Sequence, residues 1–382
     1  MYKIITYFSI YFFLFILYIL STFEKRFTKK NRYYLLYSFI AIFVLIYTFR
    51  DTGDDLQQYR LIFDSFSTKS ISEIFALTVI SEKIEFFWIL LINILKKNHL
   101  SFRFFLFISF TIPIIIITKV NSEFDKDKPL LLFFLFLYIN FEDATNIIRQ
   151  FLAGVIYIYC LSLLAKNNKK YLIISILNIA FHYVSFIFFG IVFFLKRKKK
   201  SSEYIMLLSI IFVFAQLIRL LMSNFKFDVF VFEGGNGFFF KVNYYLFNYQ
   251  KIRAEIAVGI NNYIDKLNIL LTLVFQICVL FCGNKYVNKD KFTILLLNSQ
   301  FLGIFVFIIF YILDLTTIAI RLNTFLCSGQ FLIVYYLLKN TSINTKNIVY
   351  GFFIVINFLI LFLDLLHNMY LGNVESPFYL GL

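Results

Sequence analysis

Arg50-Asp51-Thr52-Gly53-Asp54-Asp55-Leu56-Gln57-Gln58-Tyr59-Arg60 follows directly on the apolar run Tyr33 to Phe49. A guanidinium is planar, always charged and shaped to grip a phosphate with two parallel N–H bonds. Arg149 and Arg321 each stand at the start of an apolar run, and Arg253 lies in the mixed stretch from Ser223 to Asp265. A single arginine at a membrane boundary ordinarily snorkels to the headgroups. Several placed on one side, against the usual bias of positive charge to the other side, point instead to an anion. Helix N-termini at Arg149 and Arg321 would add unpaired N–H groups and the positive end of a dipole. The expected chemistry is recognition of a lipid-linked pyrophosphate by Arg50, Arg149 and Arg321.

Other side chains supply acid–base and sugar-binding chemistry. His182 is the one histidine inside an apolar run. Its bland reading is packing, yet an ionisable group within a span is expensive and usually faces a cavity. An unperturbed pKa near 6.5 suits a general base acting on a hydroxyl. Glu85, Asp54 and Asp143 compete for that role. Asp51, Tyr59, Arg253, Tyr244 and Tyr245 are candidates for holding a glycan through hydroxyl hydrogen bonds and ring stacking. The adjacent pair Asp54-Asp55 lacks the spacing that holds a metal-nucleotide, so no metal and no cofactor are expected.

The elements that must position these residues are apolar helices. The chain has 382 residues, 60% hydrophobic and only 15% charged, against about 25% charged in a soluble domain. Several runs reach the roughly 17–25 residues that cross a bilayer. They are continuous rather than alternating, so the expected class is all-α: a polytopic transmembrane helix bundle of about 10–12 membrane segments, forming one domain. The net charge of +15 does not imply nucleic acid, because the lysines sit between apolar runs and report orientation. Cys160, Cys278, Cys282 and Cys327 all lie within apolar runs, without disulfide or metal spacing.

Taken in order, Tyr2 to Thr22 is a first span, retained rather than cleaved, and the basic Phe23 to Arg32 marks the cytoplasmic side. The second span then delivers Arg50 to the opposite, external side, leaving Arg50 to Ser81 as an external loop. Ser81 to Asn98 reads as a re-entrant or tilted helix, since Glu85 to Leu95 is short for a crossing. Spans follow at Ser101 to Thr118, at Leu130 to Phe141 after the helix-starting Pro129, and from Arg149 to Ala165. Tyr171 to Leu195 has basic clusters at both flanks. A broken hairpin with His182 at its outer tip keeps both clusters on one side. Tyr204 to Met222 leads out to the long external stretch ending at Asp265, with its turn signal at Glu233 to Gly237. Later spans are Leu267 to Cys282, Phe292 to Leu313, Arg321 to Leu338 and Ile348 to Leu366.

Several of these segments resemble, in order, those of the EpsG/Wzy-like membrane polysaccharide polymerases. Arg50, Gly53, the Asp54-Asp55 pair and Tyr59 resemble that family's R-x-x-G-x-D-x-x-x-Y segment after the second span. Glu85 to Asn93 resembles its next helix, and Ile148-Arg149-Gln150-Phe151-Leu152-Ala153 its arginine-led helix. Ala180-Phe181-His182-Tyr183-Val184-Ser185 resembles its helix-breaking histidine, and Arg321-Leu322-Asn323-Thr324-Phe325 its late arginine. The doubled aspartate departs from the pattern. The resemblance implies a fold of the GT-C-like polymerase/ligase type and a bacterial inner-membrane location. It also implies a metal-independent glycosyltransferase acting on polyprenyl-diphosphate-linked oligosaccharides for O-antigen, capsule or exopolysaccharide. Expected partners are that lipid-linked glycan, the bilayer and a chain-length regulator protein, with no nucleic acid.

Two other classes predict different features. A flippase or transporter should carry charges at mid-membrane and internal repeats. Here the charges gather at helix ends and no repeat is visible. An O-antigen ligase would share the arginines and the histidine and differ in its acceptor.

Overall fold

The computed structural model describes residues 2–50, 56–74, 85–124, 128–140, 144, 147–197, 199–224, 260–286, 290–313, 315–340, 351–356, 358–360 and 363. Helices account for nearly all of them, and no strand occurs among the described residues. In chain order we label α1 (Tyr2–Thr22), α2 (Lys29–Phe49), α3 (Leu56–Ser65), α4 (Phe86–Lys97), α5 (Phe102–Phe124), α6 (Pro129–Ile139) and α7 (Ile148–Ala165). Then come α8 (Lys170–Phe181), α9 (Ile187–Leu195), α10 (Ser201–Asn224), α11 (Ile260–Tyr286), α12 (Lys291–Ile312), α13 (Thr316–Cys327) and α14 (Gln330–Asn340). Among the described residues five helices are long and apolar enough to cross a membrane, or six if the bent pair α13–α14 is one span. Shorter apolar helices complete a polytopic helical bundle.

α7 is the axis of this bundle. It packs against α5, α8, α12 and α13, and 83% of its apolar window is buried, against 33% for α2 and for α11. Lipid solvates an apolar side chain as well as a protein interior does, so packing, small residues and interhelical hydrogen bonds must hold spans together. All three act here. A Cβ added to Gly154 of α7 would meet the Ser328 Cβ at 2.9 Å. Tyr157 and Ser299 share a hydroxyl hydrogen bond of 2.6 Å between α7 and α12. Gln276 of α11 and Asn323 of α13 exchange amide hydrogen bonds of 2.7 and 2.8 Å.

The bundle has two chemically different ends. Lys291 at the start of α12 donates to Asn167 just beyond α7. Asn284 near the end of α11 donates to Ser201 at the start of α10. Glu24, between α1 and α2, accepts from the first amides of α6, Leu130 at 2.8 Å and Leu131 at 3.1 Å. These contacts define a lysine end. The C-terminus of α2, the N-termini of α4, α5 and α7 and the tip after α8 meet at the other end, the arginine end.

The broken hairpin expected from the sequence is present. α8 leaves the lysine end after Asn168 and stops at His182, whose backbone is extended. A 3-10 turn, Tyr183–Phe186, follows. α9 then returns, so that the Leu195 carbonyl accepts from Asn298, two turns into α12. α4 also does not cross. It begins at the arginine end and hands the chain straight to α5, and Lys96 near its end reaches back to the Asp64 carbonyl of α3. The re-entrant or tilted helix expected for Ser81 to Asn98 is a short helix, Phe86–Lys97, with residues 81–84 outside the described residues.

One expectation needs correction. α13 starts at Thr316, not at Arg321. Arg321 sits in the second turn, where the helix N–H groups are already satisfied internally. The helix-terminus contribution to an anion therefore holds for Arg149, the second residue of α7, and not for Arg321.

Candidate functional site

The site grows from the first turn of α7. Arg149 Nη1 donates to Glu85 Oε2 at 2.5 Å, and its Nε donates to the Tyr59 hydroxyl at 2.8 Å. The guanidinium also stands 5.6 Å from the centre of the Tyr59 ring. The Glu85 side chain is only 4% exposed while that of Arg149 is 22% exposed, so the acid is sealed and the cation keeps an open side. Glu85 is the residue before the first helical position of α4. Tyr59 faces inward because Leu56, Tyr59 and Phe63 form the buried stripe of α3 at helical spacing.

Trp88 ties this cluster to the histidine. Its indole Nε1 donates 2.9 Å to the Phe181 carbonyl, the last residue of α8. Its ring lies 6.5 Å from that of Tyr59 and 5.6 Å from that of Phe105. Asn178 pins the same turn by donating to the Ala153 carbonyl of α7 at 3.0 Å. His182 is 6% exposed. Its Nδ1 accepts from the Val184 backbone N–H at 3.2 Å, capping the 3-10 turn.

Arg50 is 2% exposed. Its guanidinium lies 3.8 Å over the Tyr47 ring, which stacks on Phe110 at 4.1 Å. Nη1 reaches the Ala144 carbonyl at 3.5 Å, just ahead of α7. Arg103, at the start of α5, donates to the Arg50 carbonyl at 2.7 Å and to the Thr48 carbonyl at 3.2 Å. Those are carbonyls that the end of α2 leaves without helical partners. Gln150, beside Arg149, donates 2.7 Å to the Arg321 carbonyl, which brings that turn of α13 against the start of α7.

Glu85, Arg149, Tyr59, Arg50, His182 and the backbone of Arg321 thus gather at one end of the bundle. Asp51, Asp54, Asp143, Tyr244, Tyr245 and Arg253 lie outside the described residues. Sequence reasoning overlooked Trp88, Arg103 and Gln150. Trp88 is the chain's single tryptophan, three residues after Glu85, and that was a usable signal. Arg103 and Gln150 act through long-range backbone contacts that no local pattern encodes.

The arrangement defines a class: a polytopic helical-bundle membrane protein with a cationic, aromatic-walled cluster at one end. The EpsG family model matches residues 33–376, and the chain belongs to the EpsG family. That membership gives it a polysaccharide-polymerase-like role in the membrane. No curated protein and no solved structure matches the chain.

Proposed function

We propose that the protein polymerises a bacterial surface polysaccharide by transferring a polyprenyl-diphosphate-linked glycan onto a second lipid-linked repeat unit. The transfer would take place at the extracytoplasmic end of the bundle. The observation that carries this reading is the Arg149–Glu85–Tyr59 cluster on the first turn of the central helix, at the same end as Arg50 and the Arg321 backbone. The lysine-rich end faces the cytoplasm by the positive-inside rule, so the arginine end faces outward.

In the transfer, an acceptor hydroxyl oxygen bonds to the anomeric carbon of the donor glycan while the bond from that carbon to the diphosphate oxygen breaks. The electron pair leaves with the lipid diphosphate, where Arg149, Arg50 and Arg321 stabilise the growing negative charge. The positive end of the α7 dipole adds to that field. The hydroxyl proton passes to a base drawn from Glu85, Asp54 and His182. Tyr59 and its aromatic neighbours wall the site, and Glu85 holds the Arg149 fork in a fixed orientation.

The test is a glycan ladder from the producing strain beside a membrane-expression blot. Arg149→Ala should insert normally and leave single repeat units on the lipid carrier. A full-length ladder from that variant would remove the proposal. A flippase would instead leave lipid-linked units on the cytoplasmic leaflet, with no single unit displayed at the surface.

A further inference from the structure

The helices that carry Arg149 and Arg321 meet along matched faces. On α7, Gln150, Gly154 and Tyr157 stand at i, i+4 and i+7, one stripe of the helix. On α13, Arg321, Phe325 and the capping Ser328 repeat that spacing. The two stripes touch at three places. Gln150 Nε2 donates to the Arg321 carbonyl at 2.7 Å. The Tyr157 and Phe325 rings lie 4.7 Å apart. Ser328 Oγ donates to the Gly154 carbonyl at 3.2 Å, at a point where a Cβ on Gly154 would collide with Ser328 and the bare glycine lets the backbones close.

The last two contacts hold the far half of α13, just before the chain bends by 40° into α14. The half at the arginine end starts without support of its own, because Leu315 gives the first turn no side-chain cap. Gln150 holds that half. It is next to Arg149 in sequence but only 1% exposed, so its amide points into the helix contact while the Arg149 side chain keeps an open side.

We infer that Gln150 is a positioning residue, which sets the spacing between the backbones that bear Arg149 and Arg321 and so the fit of the two arginines to one diphosphate. The inference rests on the proposed polymerase reading and adds to it a residue that never meets the substrate. The bond acts on the Arg321 backbone alone. The guanidinium keeps its own torsions and reaches out from a fixed point.

A double-mutant cycle with Arg321 tests this, because a residue that works through another falls silent when the other is gone. Incorporation of labelled sugar into chains of two or more units is measured in isolated membranes, per unit of inserted protein. The variants are Gln150→Met, Arg321→Ala, the two combined, and Arg149→Ala. Met matches the length of Gln and fills the same space but donates nothing. In the unaltered protein Gln150→Met should lower incorporation by about five- to tenfold, between the loss of one hydrogen bond and the cost of a misplacement of about 1 Å. With Arg321→Ala already present, the same substitution should change incorporation by less than about twofold. A part in the fold alone predicts one factor in both backgrounds, and that result would overturn the inference. Full incorporation by Gln150→Met would overturn it as well.

If Gln150→Met does not reach the membrane, Gln150→Asn carries the same cycle, since it keeps the amide and falls one methylene short of the carbonyl. Its loss should likewise vanish once Arg321 is removed, and a loss of equal size in both backgrounds refutes the positioning role. Full incorporation by Arg149→Ala removes the polymerase reading and this inference with it. Arrest of Arg149→Ala at single units, with the Gln150 factor equal in both backgrounds, removes this inference alone.

Discussion

The two ends of the bundle solve the same problem, buried polar groups in a greasy chain, in opposite ways. At the lysine end an amide and a carboxyl meet matched partners. Asn298 donates to the carbonyls of Leu195 and Arg197 and accepts from Tyr204. The Glu24 carboxyl takes two helix-terminal amides. At the arginine end the cations rest on rings and on backbone, Arg50 over Tyr47 and Arg103 on the end of α2. There Glu85 is the carboxylate that faces Arg149. The first pattern is closed and fastens helices. The second gathers guanidinium groups on rings and backbone at one end of the bundle, where the proposed lipid diphosphate would bind. Function and fastening are therefore separable along one axis, and substitutions at the two ends should separate them.

The largest effect is expected at the arginine end. Arg149→Ala should cut polymer output by about 10²–10³-fold, as loss of a preorganised donor to developing charge does. Arg149→Lys, which keeps the charge but not the fork, should fall between. Ladder intensity per unit of membrane protein measures both, and equal output from Lys and Ala would break the claim that fork geometry matters. Next comes the lysine end. Asn298→Ala leaves two carbonyls and a hydroxyl without their partner and should cost about 2–3 kcal/mol, at roughly 1 kcal/mol each. Thermal unfolding in detergent reads this, while polymer made per folded molecule stays unchanged. A loss of specific activity there would show that the two ends are not separable.

Trp88→Phe keeps the ring and removes the bond to the Phe181 carbonyl. About 1 kcal/mol of tip anchoring goes, roughly fivefold in the docked population, and polymer should fall by a similar factor with abundance intact. The smallest effect belongs to Glu24. Burial pushes its carboxyl up from 4.5 to about 7, and the Leu130 and Leu131 amides oppose that shift. The folded protein therefore binds this proton more tightly than the unfolded chain. The resulting stability is fully present below pH 4.5 and fades as pH rises through about 7. Glu24→Gln, which resembles the protonated form, should flatten that part of a melting-temperature profile, and an unchanged slope would refute the assignment.

Much of the frame was legible because it is written in local apolar runs and in lysine placement. Tyr2 to Thr22 coincides with α1, Pro129 opens α6, and basic clusters on both sides of Tyr171 to Leu195 required the chain to turn back at His182. The site was legible as a set of residue types and not as a set of partners. The Arg149–Glu85 pair spans 64 positions in the chain, and no periodicity carries such information. The start of α13 was missed because Leu315 has no side-chain cap and Thr316 follows it without a breaker. The charged Arg321 drew the boundary to itself.

The turn at His182 also settles a question of parity. A segment that enters and leaves through one face adds nothing to the tally of passages, so α10 sets out from the face where α7 finished. Counted as a full crossing of the bundle, residues 170–195 would have started α10 from the opposite end. One extended residue in the middle of a greasy run thus lets Arg321 and Arg149 share one end of the bundle.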